Sequence, residues 1–140
     1  MKILLAADGS SYTKKALAWL VTNRPGGDED VDILAVNVQP AMSPRVKTMV
    51  GAAALNAYHR EEAEKVLEPI ARFLQRHDLA FKTRWVVGNA GPELVKAAKR
   101  EKAHLIVMGT HGHGLIGRAL MGSVAQNVVA DCDIPVLLVK

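Results

Sequence analysis

Four short runs rich in Val, Ile, Leu and Ala recur along the chain, at residues 3–7, 31–38, 104–108 and 134–139, and residues 81–87 are a further strand candidate. Segments of helical pattern separate them. Runs of this length with apolar residues at consecutive positions read as strands buried on both faces. Residues 11–23 carry Ala16, Leu17, Trp19, Leu20 and Val21 at short helical spacing. Ser10 or Ser11 can cap that helix, and Pro25-Gly26-Gly27 ends it. From 52 to 77, Ala63, Val66, Leu67, Ile70 and Leu74 follow a 3–4 spacing, with Pro69 inside predicting a kink or a break. Pro92 and Glu93 suit the first turn of a helix running to Lys102, and residues 123–130 read as a last helix. Residues 39–51, holding Pro40 and Pro44, read as a loop.

Strands alternating with helices predict a doubly wound, Rossmann-like α/β fold: a five-stranded parallel sheet of order 3-2-1-4-5 with helices on both faces. At 140 residues, with no linker, repeat or low-complexity stretch, residues 1–140 read as one domain. Aromatics are 4% of the chain, so its core is aliphatic. No apolar run reaches the roughly 20 residues of a membrane span. Met1 to Leu5 opens like a secretory leader, but Asp8 interrupts it, so we read a buried strand and expect a cytoplasmic protein. A lone thiol, Cys132, fits a reducing compartment and reads as a small core or surface residue; Asp131 and Asp133 beside it do not favour a thiolate. The net charge of +4 is spread along the chain with no interleaved aromatics, which argues against nucleic acid as a partner.

In such sheets the ligand sits beyond the carboxyl ends of the strands, where the winding reverses. Here that is between the first and fourth strands, whose loops begin at Asp8 and Gly109. The second loop is the richest segment of the chain: Gly109-Thr110-His111-Gly112-His113-Gly114, then Gly117-Arg118 and Gly122-Ser123. Glycines let successive N–H groups converge on one point, and the helix start adds more, which suits a phosphate. The alternative is a flexible connector whose glycines only turn and cap. The segment is neither a Walker loop nor a dinucleotide fingerprint. His111 and His113 lack partners at ligand spacing for a zinc site, so no metal site is read. Ser123 with Gln126 three residues on reads equally as a capping box, and Asp8 as an Asx turn. Arg118 reads as either a phosphate contact or an exposed helical residue.

The pattern Gly109-x2-Gly112-x9-Gly122-Ser123 resembles the nucleotide-binding signature of the universal stress protein family, in its ATP-binding subclass. The resemblance covers the whole chain, through residues 3–10, 105–112, 122–125 and 135–139. It implies ATP, with or without Mg²⁺, bound between strands one and four. By position, Gly109, Gly112, Gly122 and Ser123 surround the phosphates, Val124 gives a backbone N–H and His111 lies beside them. Asp8 meets the ribose or its bound metal ion, Val36 offers backbone groups to adenine, and Ala6 and Met108 line the pocket. The implied role is a nucleotide-dependent stress regulator or sensor, no enzyme beyond weak ATPase activity. The alternatives are a slow ATP-hydrolysing or nucleotide-transferring enzyme, using Asp8-held Mg²⁺ and a loop His, and an adaptor that binds no nucleotide. The terminal strand, Ile134 through Val139, is an apolar sheet edge, and family members commonly dimerise there, so a homodimer is expected.

Overall fold

A computed structural model describes residues 1–27, 30–112 and 121–140. Strands β1 (Lys2–Ala6), β2 (Asp32–Gln39), β3 (Ala80–Val87), β4 (Leu105–Gly109) and β5 (Val136–Val139) form one sheet of order β3-β2-β1-β4-β5. Every pairing is parallel. β1 lies at the centre, with Leu4 beside Leu34 on one side and Ile106 on the other. The predicted order and winding are those observed.

Successive side chains of a strand point to opposite faces, and β1 distributes its residues accordingly. Ile3, Leu5 and Ala7 enter one apolar cluster with Leu17 and Leu20 of helix α1 (Ser11–Asn23) and Leu67, Ile70 and Leu74 of α3 (Ala52–Arg76). Leu4 enters the other, with Leu94 and Ala98 of α4 (Ala90–Arg100) and Ala125 and Val128 of α5 (Ser123–Asp131). Both faces of the sheet are covered at its centre, which is why β1 and β4 read as unbroken apolar runs. The two clusters also place α1 and α5, the helices following β1 and β4, on opposite faces. That reversal opens a crevice at the carboxyl ends of these two strands.

Two elements differ from the sequence reading. The expected loop 39–51 contains a two-turn helix, α2 (Pro44–Val50), capped by the Ser43 hydroxyl accepting from the Val46 N–H, with Pro44 at its first position. None of its residues is buried, so no core-facing periodicity announces it. Of the kink or break expected at Pro69, the break does not occur: α3 is continuous through it. Proline leaves the carbonyl four residues earlier without a helical partner. Lys65 and Pro69 both lie on the exposed side, where that carbonyl is open to solvent.

Candidate functional site

The loop leaving β1 is built around Asp8. Its Oδ1 accepts from the Ser10 N–H at 2.8 Å and from the Thr13 hydroxyl at 2.8 Å. The Asp8 N–H donates to that same Thr13 oxygen at 3.2 Å. Gly9, at φ +78°, makes the turn a side chain would strain. Ser10 then caps α1 by accepting from the Thr13 N–H. The Asx turn is therefore formed, and it occupies one carboxylate oxygen. The other, Oδ2, stands 2.6 Å from where a Cβ on Gly112 would lie. Behind the loop, the buried Asn37 amide donates to the Ala7 carbonyl at 2.8 Å and accepts from Gln39 at 2.8 Å. The end of β1 is thus held from β2 by a polar relay that sequence patterning does not reveal.

The loop leaving β4 is pinned by Thr110. Its N–H donates to the Val139 carbonyl at 3.0 Å, and its own carbonyl accepts from the Gly122 N–H at 2.6 Å. Residues 110 and 122 are thereby tied together, which brings the start of α5 back beside the end of β4. Gly109 has no room for a side chain, since a Cβ there would collide with Cβ of Tyr12. The His111 ring packs on Tyr12 with centroids 5.0 Å apart, its Nδ1 2.8 Å from the Thr110 hydroxyl. Lys15 lies over the other ring, 5.2 Å from the Tyr12 centroid.

Between these loops lies a cavity of ≈ 340 Å³. The residues that the resemblance assigns to the site line it: Ala6, Asp8, Val36 and Met108 on the strand side, Gly109, His111 and Gly112 on the loop, and Gly122, Ser123 and Val124 at the helix start. Sequence reasoning missed Thr13, Val38, Thr110, Ala90 and Leu94, which also line it. The last two come from α4, whose Pro92-Glu93 start was the available signal that its first turn reaches this end of the sheet. His113 and Arg118 lie outside the described residues.

Two details refine the residue-level reading. The Val36 carbonyl already accepts the Ala7 N–H at 2.9 Å. Val38 lies beyond Ala6, the last β1 residue paired with β2, so no strand covers the β1 side of its backbone. Val38, two residues on, is therefore the position from which backbone groups face the crevice. Ser123 does not form a capping box. It is the first residue of α5, Gly122 holds the cap position without a side-chain bond, and the Gln126 amide donates to the Met121 carbonyl at 3.1 Å. The Ser123 side chain is exposed at the cavity wall.

The arrangement offers backbone N–H groups of an uncapped helix start and glycine backbone on one wall, an acidic side chain on the other, and an apolar floor of Val36, Leu94 and Met108. That suits a ligand with a phosphate, a hydroxylated middle and a flat apolar part. A recess of ≈ 570 Å³ at the opposite end of the strands is lined by Asp30, Asp32 and Asp78 with Arg24, a different chemistry. Among the described residues, no group of three or more His, Cys, Asp or Glu is placed to hold a metal ion, and no helix is long and apolar enough to cross a membrane.

Comparison with known proteins places these features in context. The sequence profile of the Universal stress protein family matches residues 1–140. A universal stress protein of Thermus aquaticus is 36% identical over 140 residues, covering 99% of this chain and 97% of its own. The solved structure of MJ0577 of Methanocaldococcus jannaschii superposes with a TM-score of 0.85 at 29% identity, covering 99% of this chain and 94% of that one. A universal stress protein of Archaeoglobus fulgidus, solved in complex with dAMP, superposes with a TM-score of 0.72 at 20% identity, over 100% of this chain and 98% of that one.

Proposed function

The chain belongs to the universal stress protein family, and from that membership and the shape of its crevice we propose that it binds an adenine nucleotide, ATP in particular, as a regulator or sensor. The observation that carries this is the meeting of Gly109, Gly112, Ser123 and Val124 with Asp8 around one cavity. Gly112 is required where the loop passes close to Asp8, since a Cβ there would stand 2.6 Å from the Asp8 Oδ2. The dAMP complex of the A. fulgidus relative supports the adenine class of ligand.

In this reading Gly109, Gly112 and Gly122 let the phosphates approach backbone N–H groups. Ser123 gives its hydroxyl and Val124 its N–H, and His111 flanks the phosphates. Asp8 meets the ribose hydroxyls, or Mg²⁺ carried in with ATP. The base lies over Ala6, Val36 and Met108, with its edge toward the backbone of Val38. Occupancy, not turnover, is the signal: a charge-dense ligand favours the loop arrangement that surrounds it, and that biases the surface offered to partners. Bound ATP turns over slowly. We place the protein in the cytoplasm, as one domain that dimerises through the edge of β5.

The test is to denature freshly purified protein, identify any released small molecule by mass spectrometry, and titrate the stripped protein with ATP and Mg²⁺. Micromolar binding that is lost in a folded Gly122→Val/Ser123→Leu variant is the expected result. No released adenine nucleotide and no heat on titration would overturn the reading and leave an adaptor that binds no nucleotide.

A further inference from the structure

A second cavity, of ≈ 440 Å³, adjoins the first and shares Val38, Ala90, Ser123 and Val124 with it as common wall. It extends from that wall between the starts of α4 and α5. Its far side is made by Pro40 and Pro92, with the amides of Asn89 and Asn127. Gly91 sets its floor: a Cβ there would stand 2.7 Å from Cβ of Asn127, so only glycine lets α5 come this close to α4. None of the described residues lining this slot is charged, in a chain of which 23% is charged.

This uncharged composition suits a flat, neutral heterocycle. Proline and valine side chains give it apolar faces. A side-chain amide presents a donor and an acceptor side by side, the pattern that pairs with the edge of a purine. The shared wall at Ser123 is where the phosphates are placed in the reading above. The wall also includes Val38, where the edge of the first base is placed, so with that base seated at Val38 a ligand extends into the slot past Ser123, through its phosphate bridge. The first cavity is near the lower end of the ~300–1,000 Å³ usual for small-molecule sites, room for one nucleotide and not two.

We propose that the adjoining slot receives a second base, so that the site takes dinucleotides in which a phosphate bridge joins adenosine to another nucleoside. This rests on the adenine-nucleotide reading of the first cavity. Asn89 and Asn127 are its specificity residues, and Pro40 and Pro92 its packing faces.

Calorimetric titration with ADP, ADP-ribose and diadenosine 5′,5′-diphosphate tests it. The last two share the first adenosine and the diphosphate bridge, and differ in whether the second ribose bears a base. Diadenosine diphosphate is expected to bind about tenfold more tightly than ADP-ribose. Asn127→Trp, which fills the slot, is expected to abolish that ratio, and Asn89→Ala to reduce it, in proteins whose melting curves stay cooperative. Equal affinities in the unaltered protein, with ADP still bound, overturn the slot and leave the first cavity standing. A ratio that survives Asn127→Trp also overturns it. Failure of all three ligands, and of ATP, to bind overturns both readings.

Discussion

Gly112 and Asp8 face each other across the cavity, and their contact makes a sharp residue-level prediction. A methyl at position 112 would stand 2.6 Å from the Asp8 Oδ2. The carboxylate must rotate away, and its Oδ1 then loses alignment with Ser10 and Thr13. Gly112→Ala is therefore expected to weaken ATP binding at least about tenfold while lowering unfolding free energy by about 2–3 kcal/mol, since two hydrogen bonds to the carboxylate are weakened. Calorimetry and urea denaturation on the same preparation separate the two effects. A variant that binds ATP normally would show that Asp8 and the loop do not meet around the ligand. The glycines were legible in the sequence because no other residue allows backbone to approach so closely, and their spacing is a pattern. Thr110 and the Asn37 relay were not. Their roles depend on which backbone groups the fold brings within reach of them, and nothing local marks that. Val36 and Val38 differ for the same reason, since only the pairing with β1 shows where that strand stops covering the backbone of β2.

At the scale of elements, strands were more legible than helix boundaries. A strand buried on both faces leaves a continuous apolar run, whereas α2 has no buried residue to give it a period. Pro69 misleads because proline's cost in a helix depends on whether water can reach the carbonyl it orphans. The cost is still present, so Pro69→Ala is expected to raise stability by about 1–3 kcal/mol, up to the helix-propensity difference between the two residues. A fall in the urea midpoint would mean instead that the proline shapes α3 for its packing. A second element-scale prediction concerns Glu101, just past α4. It ties three elements together: Arg84 of β3 lies 2.8 Å from its carboxylate and Lys2 of β1 3.4 Å. The hydrogen bond and charge of Arg84, then Lys2, hold the Glu101 carboxyl below the ordinary 4.5 of a glutamate. A depressed folded-state pKa adds stability that is fully present above that ordinary value and is lost as pH falls through the lower folded value. Arg84→Met removes the larger cause. It is expected to lower stability near neutral pH and to flatten the loss on acidification below about pH 4.5. Urea midpoints of both proteins across pH 3–7, giving parallel curves, would show that the ion pair is too well solvated to matter.

At the scale of the molecule, the sheet order was legible because strand–helix alternation, right-handed crossovers and one reversal leave few arrangements. What one chain does not display is how its two sheet edges are managed. They are managed differently. The β3 edge spans Ala80–Val87 and carries Lys82 and Arg84, charges of the kind that discourage a further strand from pairing. The β5 edge, Val136–Val139, is Val-Leu-Leu-Val, uncharged and only half-buried along its length. Pro135 and Val139 direct their carbonyls to β4, accepting from Ile106 at 2.9 Å and Thr110 at 3.0 Å. By alternation, the backbone groups of Val136 and Leu138 point away from the sheet, with no strand among the described residues on that side. A second copy related by a two-fold axis would satisfy them with its own β5 running antiparallel, extending the sheet across both subunits. Because Val139 also anchors Thr110, such pairing would stiffen the strand that holds the glycine loop, so the proposed dimer and the proposed nucleotide site would share a support. Sedimentation equilibrium is expected to give twice the chain mass. Leu138→Pro, which removes an outward N–H without touching a bond to β4, is expected to shift that mass toward the monomer and to weaken ATP binding. A monomer in the unaltered protein at the concentrations used for titration would remove the dimer. A Leu138→Pro monomer that binds ATP as tightly as the parent would show that the site is complete within one chain.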